Sequence, residues 1–411
     1  MSLSSSLGRL LGGNGTVATL QEELAERHQQ AIASGLRRFA VPRVRLTLPN
    51  GAVIGGQVAP IASLRLNDWG AARAYLLRDQ LGLFDCYLTG RLDFVAETDD
   101  AADSLLQFLQ AFDEASADQR LLSAALSSSR YFWQQTTETR RKNLSVHYSV
   151  PPAFWLSFLT NDYPIYSHYL FEEHETERDW EVACERKLAY AMQVCRLEPG
   201  ARALNIGEGW GGFLTYAGRR GVRLTGLTLN DESFGAASAK REREGLRETC
   251  QVVKTDFYAF RSAEPFDAIT NMGVTEHLTD YDALMQQYAR LLKPGGFVYS
   301  DFVGVTHDRP FRSLIQKLVY PGAAAVYLPG LLRAAERSQN LELVAAHDDR
   351  ISYDKTCQAW ARNVERRRDY IVENFGEARY RWIWSYLWMS VYGFRTYSNG
   401  ITGTRVVLRR R

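Results

Sequence analysis

From residue 199 onward the chain repeats strand, turn and helix. The first of these turns carries four glycines in six positions, Gly207-Glu208-Gly209-Trp210-Gly211-Gly212. An apolar strand at 201–206 feeds this turn and a helix at 213–220 leaves it. The pattern continues with a strand at 222–229, a helix at 231–244 and a strand at 251–255. A strand at 266–272 and a helix at 281–292 follow. Lys293-Pro294-Gly295-Gly296 then turns the chain into a strand at 297–302. Alternation of this kind predicts an α/β domain, a parallel sheet covered by helices on both faces. The last two strands are expected near 341–346 and 404–408.

Four glycines exceed the needs of a tight turn, and such a turn lets backbone approach a nucleotide closely. Gly207, Gly209 and Gly212 satisfy the GxGxxG dinucleotide spacing, while Gly207, Gly209 and Gly211 equally satisfy the GxGxG of methyltransferases. The second strand ends in Thr228-Leu229-Asn230, with no carboxylate at its tip for a ribose diol. Asp231 lies just beyond, so a dehydrogenase stays open on spacing alone. Asp256 and Phe257 follow the third strand, where a carboxylate can meet an adenine amino group. Gly273-Val274-Thr275-Glu276-His277 follows the fourth strand, at the sheet edge where ligands of open α/β sheets bind.

The chain has 411 residues, more than one core usually organises, so two domains are expected. Residues 1–15 read as a disordered tail, 16–130 as a smaller mixed domain and 131–411 as the α/β domain. Within the first domain a helix at 19–38, a strand at 44–48, a hairpin turn at Asn50-Gly51 and an amphipathic stretch at 101–112 are predicted. Polar residues near 127–137 read as a linker. The formal net charge of +2 gives no argument for nucleic acid. Local basic clusters (Arg37, Arg38, Arg43, Arg45; Arg140, Arg141, Lys142; Arg366, Arg367, Arg368; Arg409, Arg410, Arg411) are either solvated surface or contacts for anionic lipid headgroups. Five cysteines lack metal-ligand spacing, and no metal site is expected. With no secretory signal and no apolar run of membrane-spanning length, a cytoplasmic protein with reduced thiols is expected.

Several ordered motifs resemble those of the cyclopropane-fatty-acyl-phospholipid synthase family. His147-Tyr148 and Phe154-Trp155 resemble its HYD…NDFY segment, Tyr166-Ser167 its YSCAYF segment and Lys187 its Q-x-AK helix. The glycine turn resembles DIGCGWGG, residues 226–233 resemble GVTxSxEQ, and Asp256-Phe257 resembles DYR. Residues 273–277 resemble GMFEHVG, Tyr353-Asp354-Lys355-Thr356 matches YDxT with Trp360 beyond it, and Phe394-Arg395 resembles a late aromatic-Arg pair. Residues 86–90 echo the EAYMDG of the family's N-terminal domain.

The resemblance implies a Rossmann-like seven-stranded methyltransferase sheet beside the smaller mixed N-terminal domain, and S-adenosylmethionine as cofactor. It implies donor-binding roles for Tyr166, Ser167, Gly207, Glu208, Gly209, Gly211, Thr228, Asn230, Asp256, Phe257 and Gly273. The implied reaction transfers a methyl group to the cis double bond of an unsaturated phospholipid acyl chain. The protein would then visit the inner membrane face from the water side, and a homodimer is possible. Aromatic faces can stabilise the acyl cation that forms, and Tyr148, Trp155, Tyr166, Phe171, Tyr353 and Tyr386 are candidates.

Members of the family remove the final proton with a bicarbonate held by Cys, Glu, His and Tyr. Glu276 and Tyr353 match two of these holders, but His168 stands at the Cys and Asp301 at the His, which sets bicarbonate in question. Within the turn, Asn205 replaces an Asp and Glu208 a Cys. His168, Glu276 or Asp301 is then expected to act as base directly, and a methyl-branched or methylene product becomes as open as a cyclopropane. A structural pairing of His168 with Asp301 is the alternative role for those two. A methyltransferase of another hydrophobic molecule and a non-catalytic lipid- or nucleotide-binding relative also stay open.

Overall fold

The computed structural model describes residues 17–38, 41, 43–56, 59–77, 80–115, 150–307, 324–396 and 400–411. The expected tail, the linker near 127–137, the Arg140 cluster and His147-Tyr148 lie outside the described residues. The chain forms two compact units, Met1–Ser129 and Arg130–Arg411.

The first unit contains α1 (Val17–Arg38), β1 (Val44–Thr47), β2 (Val53–Ile54), β3 (Ala62–Leu66), α2 (Trp69–Leu76), α3 (Gln80–Leu88), β4 (Leu92–Ala96) and α4 (Ala101–Ala115). Its sheet has the order β2-β1-β3-β4, with β1 parallel to β3 and the other pairs antiparallel. Asn50-Gly51 makes the expected hairpin, closed by Leu48 N–H donating to the Ala52 carbonyl at 2.8 Å. Alternating residues of β1, Val44 and Leu46, enter a core with Leu64, Leu66, Tyr75 and Phe112.

The second unit begins with α5 (Pro152–Leu156), a 3-10 turn (Glu177–Asp179) and α6 (Trp180–Val194). The alternation follows: β5 (Arg202–Ile206), α7 (Gly212–Gly218), β6 (Arg223–Thr228), α8 (Asp231–Arg243), β7 (Cys250–Lys254) and β8 (Phe266–Met272). After a 3-10 turn (Thr275–His277) come α9 (Tyr281–Leu291), β9 (Leu292–Val305), β10 (Val326–Tyr327), α10 (Leu328–Ser338) and β11 (Leu341–Asp348). Three helices, α11 (Arg350–Arg366), α12 (Arg368–Phe375) and α13 (Glu377–Arg395), precede the last strand, β12 (Ile401–Arg410).

The sheet order is β11-β12-β9-β8-β5-β6-β7, with the two-residue β10 added alongside β9. The strands from β7 to β9 pair in parallel, and β12 runs antiparallel between β9 and β11. β5 and β6 are almost continuously buried, as strands covered on both faces must be. The strand expected at 297–302 starts earlier and ends later. Leu292 already pairs with Phe266, residues 293–296 bulge out with Gly295 at φ +77°, and pairing resumes between Ala268 and Phe297. β5 and β8 are neighbours at the centre while β6 follows β5 on its other side. This reversal opens a crevice beyond their C-terminal ends.

Candidate active site

The crevice is a cavity lined by the glycine turn, the ends of β6, β7 and β8, and the segment Pro164-Ile165-Tyr166. Two glycines shape it. Gly207 has φ +74°, and a Cβ there would lie 2.4 Å from Val274 Cγ2, so only glycine lets the turn meet the β8 end. Gly212, the first residue of α7, has no room for a Cβ either, because the Pro164 carbonyl would stand 2.5 Å away. That close approach carries Ile165 and Tyr166 to the cavity.

Of the sequence-predicted donor residues, Tyr166, Gly207, Glu208, Gly209, Thr228, Asn230, Asp256, Phe257 and Gly273 line this one cavity. Ser167 and Gly211 do not. Ser167 is buried beneath, where Lys187 Nζ donates to its Oγ, and its Cβ packs under Gly273. Gly211 caps α7. Asp231, the dehydrogenase candidate, points away into an ion pair with Lys254 and is largely exposed. Asn230 caps α8, its Oδ1 accepting from Ser233 N–H at 2.8 Å. Asp256 is buried at the cavity wall, and its Oδ1 accepts from Tyr258 N–H at 2.8 Å.

Glu208 is buried with both carboxyl oxygens engaged below the turn. Asn205 Nδ2 donates to its Oε2 at 2.7 Å, and Leu214 N–H donates to its Oε1 at 3.1 Å. Burial pushes this carboxyl up to about 7.

The aromatic rings of Tyr166 and Trp210 line the cavity, with Trp155 and Trp360 buried behind them. Tyr166 stacks on Trp360, with centroids 4.8 Å apart, and lies 4.9 Å from Trp155 and 6.3 Å from Trp210. Trp382 and Tyr386 extend the cluster outward from Trp155. Phe171 is different: its ring faces the Lys355 ammonium.

The four residues that the resemblance sets at the proton-removing end, His168, Glu276, Asp301 and Tyr353, also converge. Met272, next to Gly273, pairs with Asp301 across β8 and β9, and Val303 N–H donates to Glu276 Oε1 at 2.6 Å. Tyr353 stacks on Phe394 at 4.3 Å, and its ring lies 4.9 Å from His168. Burial and the nearby Glu276 charge hold the Tyr353 hydroxyl well above its usual range. His168 and Asp301 do not pair with each other. His168 Nε2 lies 3.0 Å from Asp349 Oδ2, and Asp301 Oδ2 lies 3.0 Å from Lys187 Nζ, with both members of that second pair fully buried. Arg405 Nε stands 3.4 Å from Asp349, on the strand position that pairs with Asp301.

Asp349 and Arg405 escape a sequence reading, because a residue before a helix and a basic residue in an alternating strand both look like surface. Lys187 carries a signal, a lysine within the apolar stripe of α6. The downstream motif explains itself in space. Tyr353 and Asp354 meet Phe394 and Arg395, the latter pair by an ion pair at 3.0 Å.

Comparison with known proteins adds the following. Residues 135–402 match the family model for mycolic acid cyclopropane synthetase. A probable fatty acid methyltransferase of Mycobacterium tuberculosis is 32% identical over 208 residues, 49% of this chain and 48% of that protein. The tuberculostearic acid methyltransferase of the same organism is 25% identical over 272 residues, 62% of each chain. The structure of the M. tuberculosis cyclopropane synthase MmaA2 superposes with a TM-score of 0.59 at 20% identity, covering 66% of this chain and 98% of that one, so the fold is shared. The chain spans about half to three fifths of the length of these curated relatives.

Proposed function

The chain belongs to the mycolic acid cyclopropane synthetase family of S-adenosylmethionine-dependent enzymes, and we propose on that premise that it methylates the cis double bond of an unsaturated fatty acyl chain, carried by a phospholipid. The observation that carries this reading is the aromatic wall of the glycine-turn cavity, lined by Tyr166 and Trp210 and backed by the buried Trp155 and Trp360. An alkene needs an apolar, water-free surface and its cation needs π faces, which these rings offer.

S-adenosylmethionine, when bound, supplies an electrophilic methyl on a sulfonium. The chain's own residues do the rest. Backbone at Gly207 and Gly209 would hold the donor, and the Asp256 carboxylate would accept from its adenine amino group. Tyr166, Gly273, Thr228, Asn230 and Phe257 line the same cavity and would help to enclose the donor. Orientation matters because an alkene is a weak nucleophile, so alignment contributes much of the acceleration. The named relatives include fatty acid methyltransferases and a cyclopropane synthase, so the proposal covers a methyl-branched, a methylene and a cyclopropane product alike.

Contact with the membrane is transient in this account. No helix among the described residues is long and apolar enough to cross a bilayer, and Arg45, Arg368 and Arg409 already have carboxylate partners. Expression in a host with monounsaturated phospholipids, fed methyl-labelled methionine, tests the proposal. Label is expected in the acyl chains at the former double bond. Label confined to other metabolites refutes it.

A further inference from the structure

The bicarbonate implied by the family resemblance would sit where His168, Glu276, Asp301 and Tyr353 converge, and the donor set there does not fit it. A buried anion needs hydrogen-bond donors or an uncommitted cation. The buried atoms left without a hydrogen bond at this place, among the described residues, include the carboxyl oxygens Glu276 Oε2, Asp301 Oδ1 and Asp301 Oδ2, which would repel another anion. The unbonded donors Tyr299 Oη and Arg405 Nε stand beside Asp301 and Asp349 and already face those carboxylates. The cations are committed, Lys187 to Asp301 and Arg405 to Asp349. His168 Nδ1 is also without a partner, but its ring is fixed through Nε2 to Asp349.

Two cations therefore face two carboxylates in matched pairs, and Glu276 is the acid left over. Its Oε1 is oriented by Val303 N–H, and its Oε2 has no hydrogen bond. The 3-10 turn that carries it also places Val274 and His277 on the cavity wall.

We infer that Glu276 removes the terminating proton directly through Oε2, without bound bicarbonate. The inference rests on the alkene-methylation reading above. In the first step the alkene π pair forms a bond to the donor methyl carbon, the carbon–sulfur pair returns to sulfur, and positive charge is left on the adjacent chain carbon. In the second, a C–H bond on the added methyl or the chain breaks. Its electron pair quenches the cation, as a ring or a new double bond, and the proton goes to Glu276 Oε2 and on to solvent after product release. Ionised Glu276 also gives the site the one negative charge that offsets the cation.

The groups acting on Glu276 are Asp301 on β9, Lys187 on α6 and Tyr353 on α11. Burial, with the Asp301 charge adding to it, outweighs the Val303 N–H and Lys187 and pushes the carboxyl up to about 7, so the basic form is lost as pH falls below neutrality.

The test uses the full-length protein, methyl-labelled S-adenosylmethionine and vesicles of monounsaturated phospholipid in CO2-stripped buffer, with and without added bicarbonate. Less than about a twofold change on adding bicarbonate is expected, with a rate falling about tenfold per pH unit below 7. E276Q should lose on the order of 100-fold or more in turnover while binding S-adenosylhomocysteine as the wild type does, and E276D should recover part of the rate. Turnover that returns only with bicarbonate, or E276Q working at the wild-type rate, overturns the inference while leaving alkene methylation standing. No labelled lipid under any condition overturns both.

Discussion

At the scale of single residues, the two departures within the glycine turn explain one another. A carboxyl at 208 needs a donor beneath it, and Asn205 supplies one through Nδ2 while its Oδ1 accepts from Thr270 Oγ1 at 2.7 Å. With Asp at 205, two buried acids would stand in contact. Glu208 sits in the folded state at about 7, above its ordinary value of 4.5. A raised carboxyl binds its proton more tightly when folded. Its contribution to stability is therefore complete below about pH 4.5 and lost as pH rises through 7. Glu208→Gln should remove this dependence, leaving the variant on the order of 2–3 kcal/mol less penalised at pH 8 than at pH 5 relative to wild type. Thermal melts of both proteins at the two pH values check this, and parallel pH dependence would refute it. None of this was legible in the sequence, where position 208 shows only that a cysteine of the family motif is missing. The carboxyl's direction depends on Asn205 and Leu214, which the folded turn brings beneath it.

At the scale of elements, α11 acts as a strap across the segment that carries Tyr166. Thr356 Oγ1 accepts from Tyr169 N–H at 2.9 Å, and Ser352 Oγ accepts from Phe171 N–H at 3.1 Å. Asp349 holds His168, Asn363 Nδ2 donates to the Phe158 carbonyl at 2.9 Å, and Lys355 reaches the carbonyls of Glu172 and Glu173. A segment without regular secondary structure thereby finds partners for its buried backbone. The YDxT resemblance marked Thr356, and the structure shows what that threonine holds. Thr356→Val keeps the shape and removes the acceptor for Tyr169 N–H, at a cost of about 1–3 kcal/mol. Hydrogen exchange at the Tyr169 amide should accelerate at least about tenfold while β5 stays protected. Unchanged exchange at Tyr169 would show that α11 is not what orders the segment.

At the scale of the molecule, the sheet and the crevice were readable because buried parallel strands and their turns are local patterns. Strands β5 to β8 and their helices fall within a residue or two of their expected limits. The three helices between β11 and β12 were not read as a unit, since the longest of them is buried continuously from Trp382 to Trp388 rather than along a simple stripe. The partners of His168 and Asp301 were equally hidden, because Asp349 and Lys187 reach them only through tertiary packing. The central claim, that this cavity and its aromatic wall serve methyl transfer to an acyl-chain alkene, has a direct test. Purified protein is given methyl-labelled S-adenosylmethionine and vesicles of monounsaturated phospholipid, and the acyl chains are fragmented by mass spectrometry. The account predicts label on a carbon attached at the former double bond, as a branch, a methylene or a ring. Acyl chains without label, in a protein that binds S-adenosylhomocysteine, would contradict it.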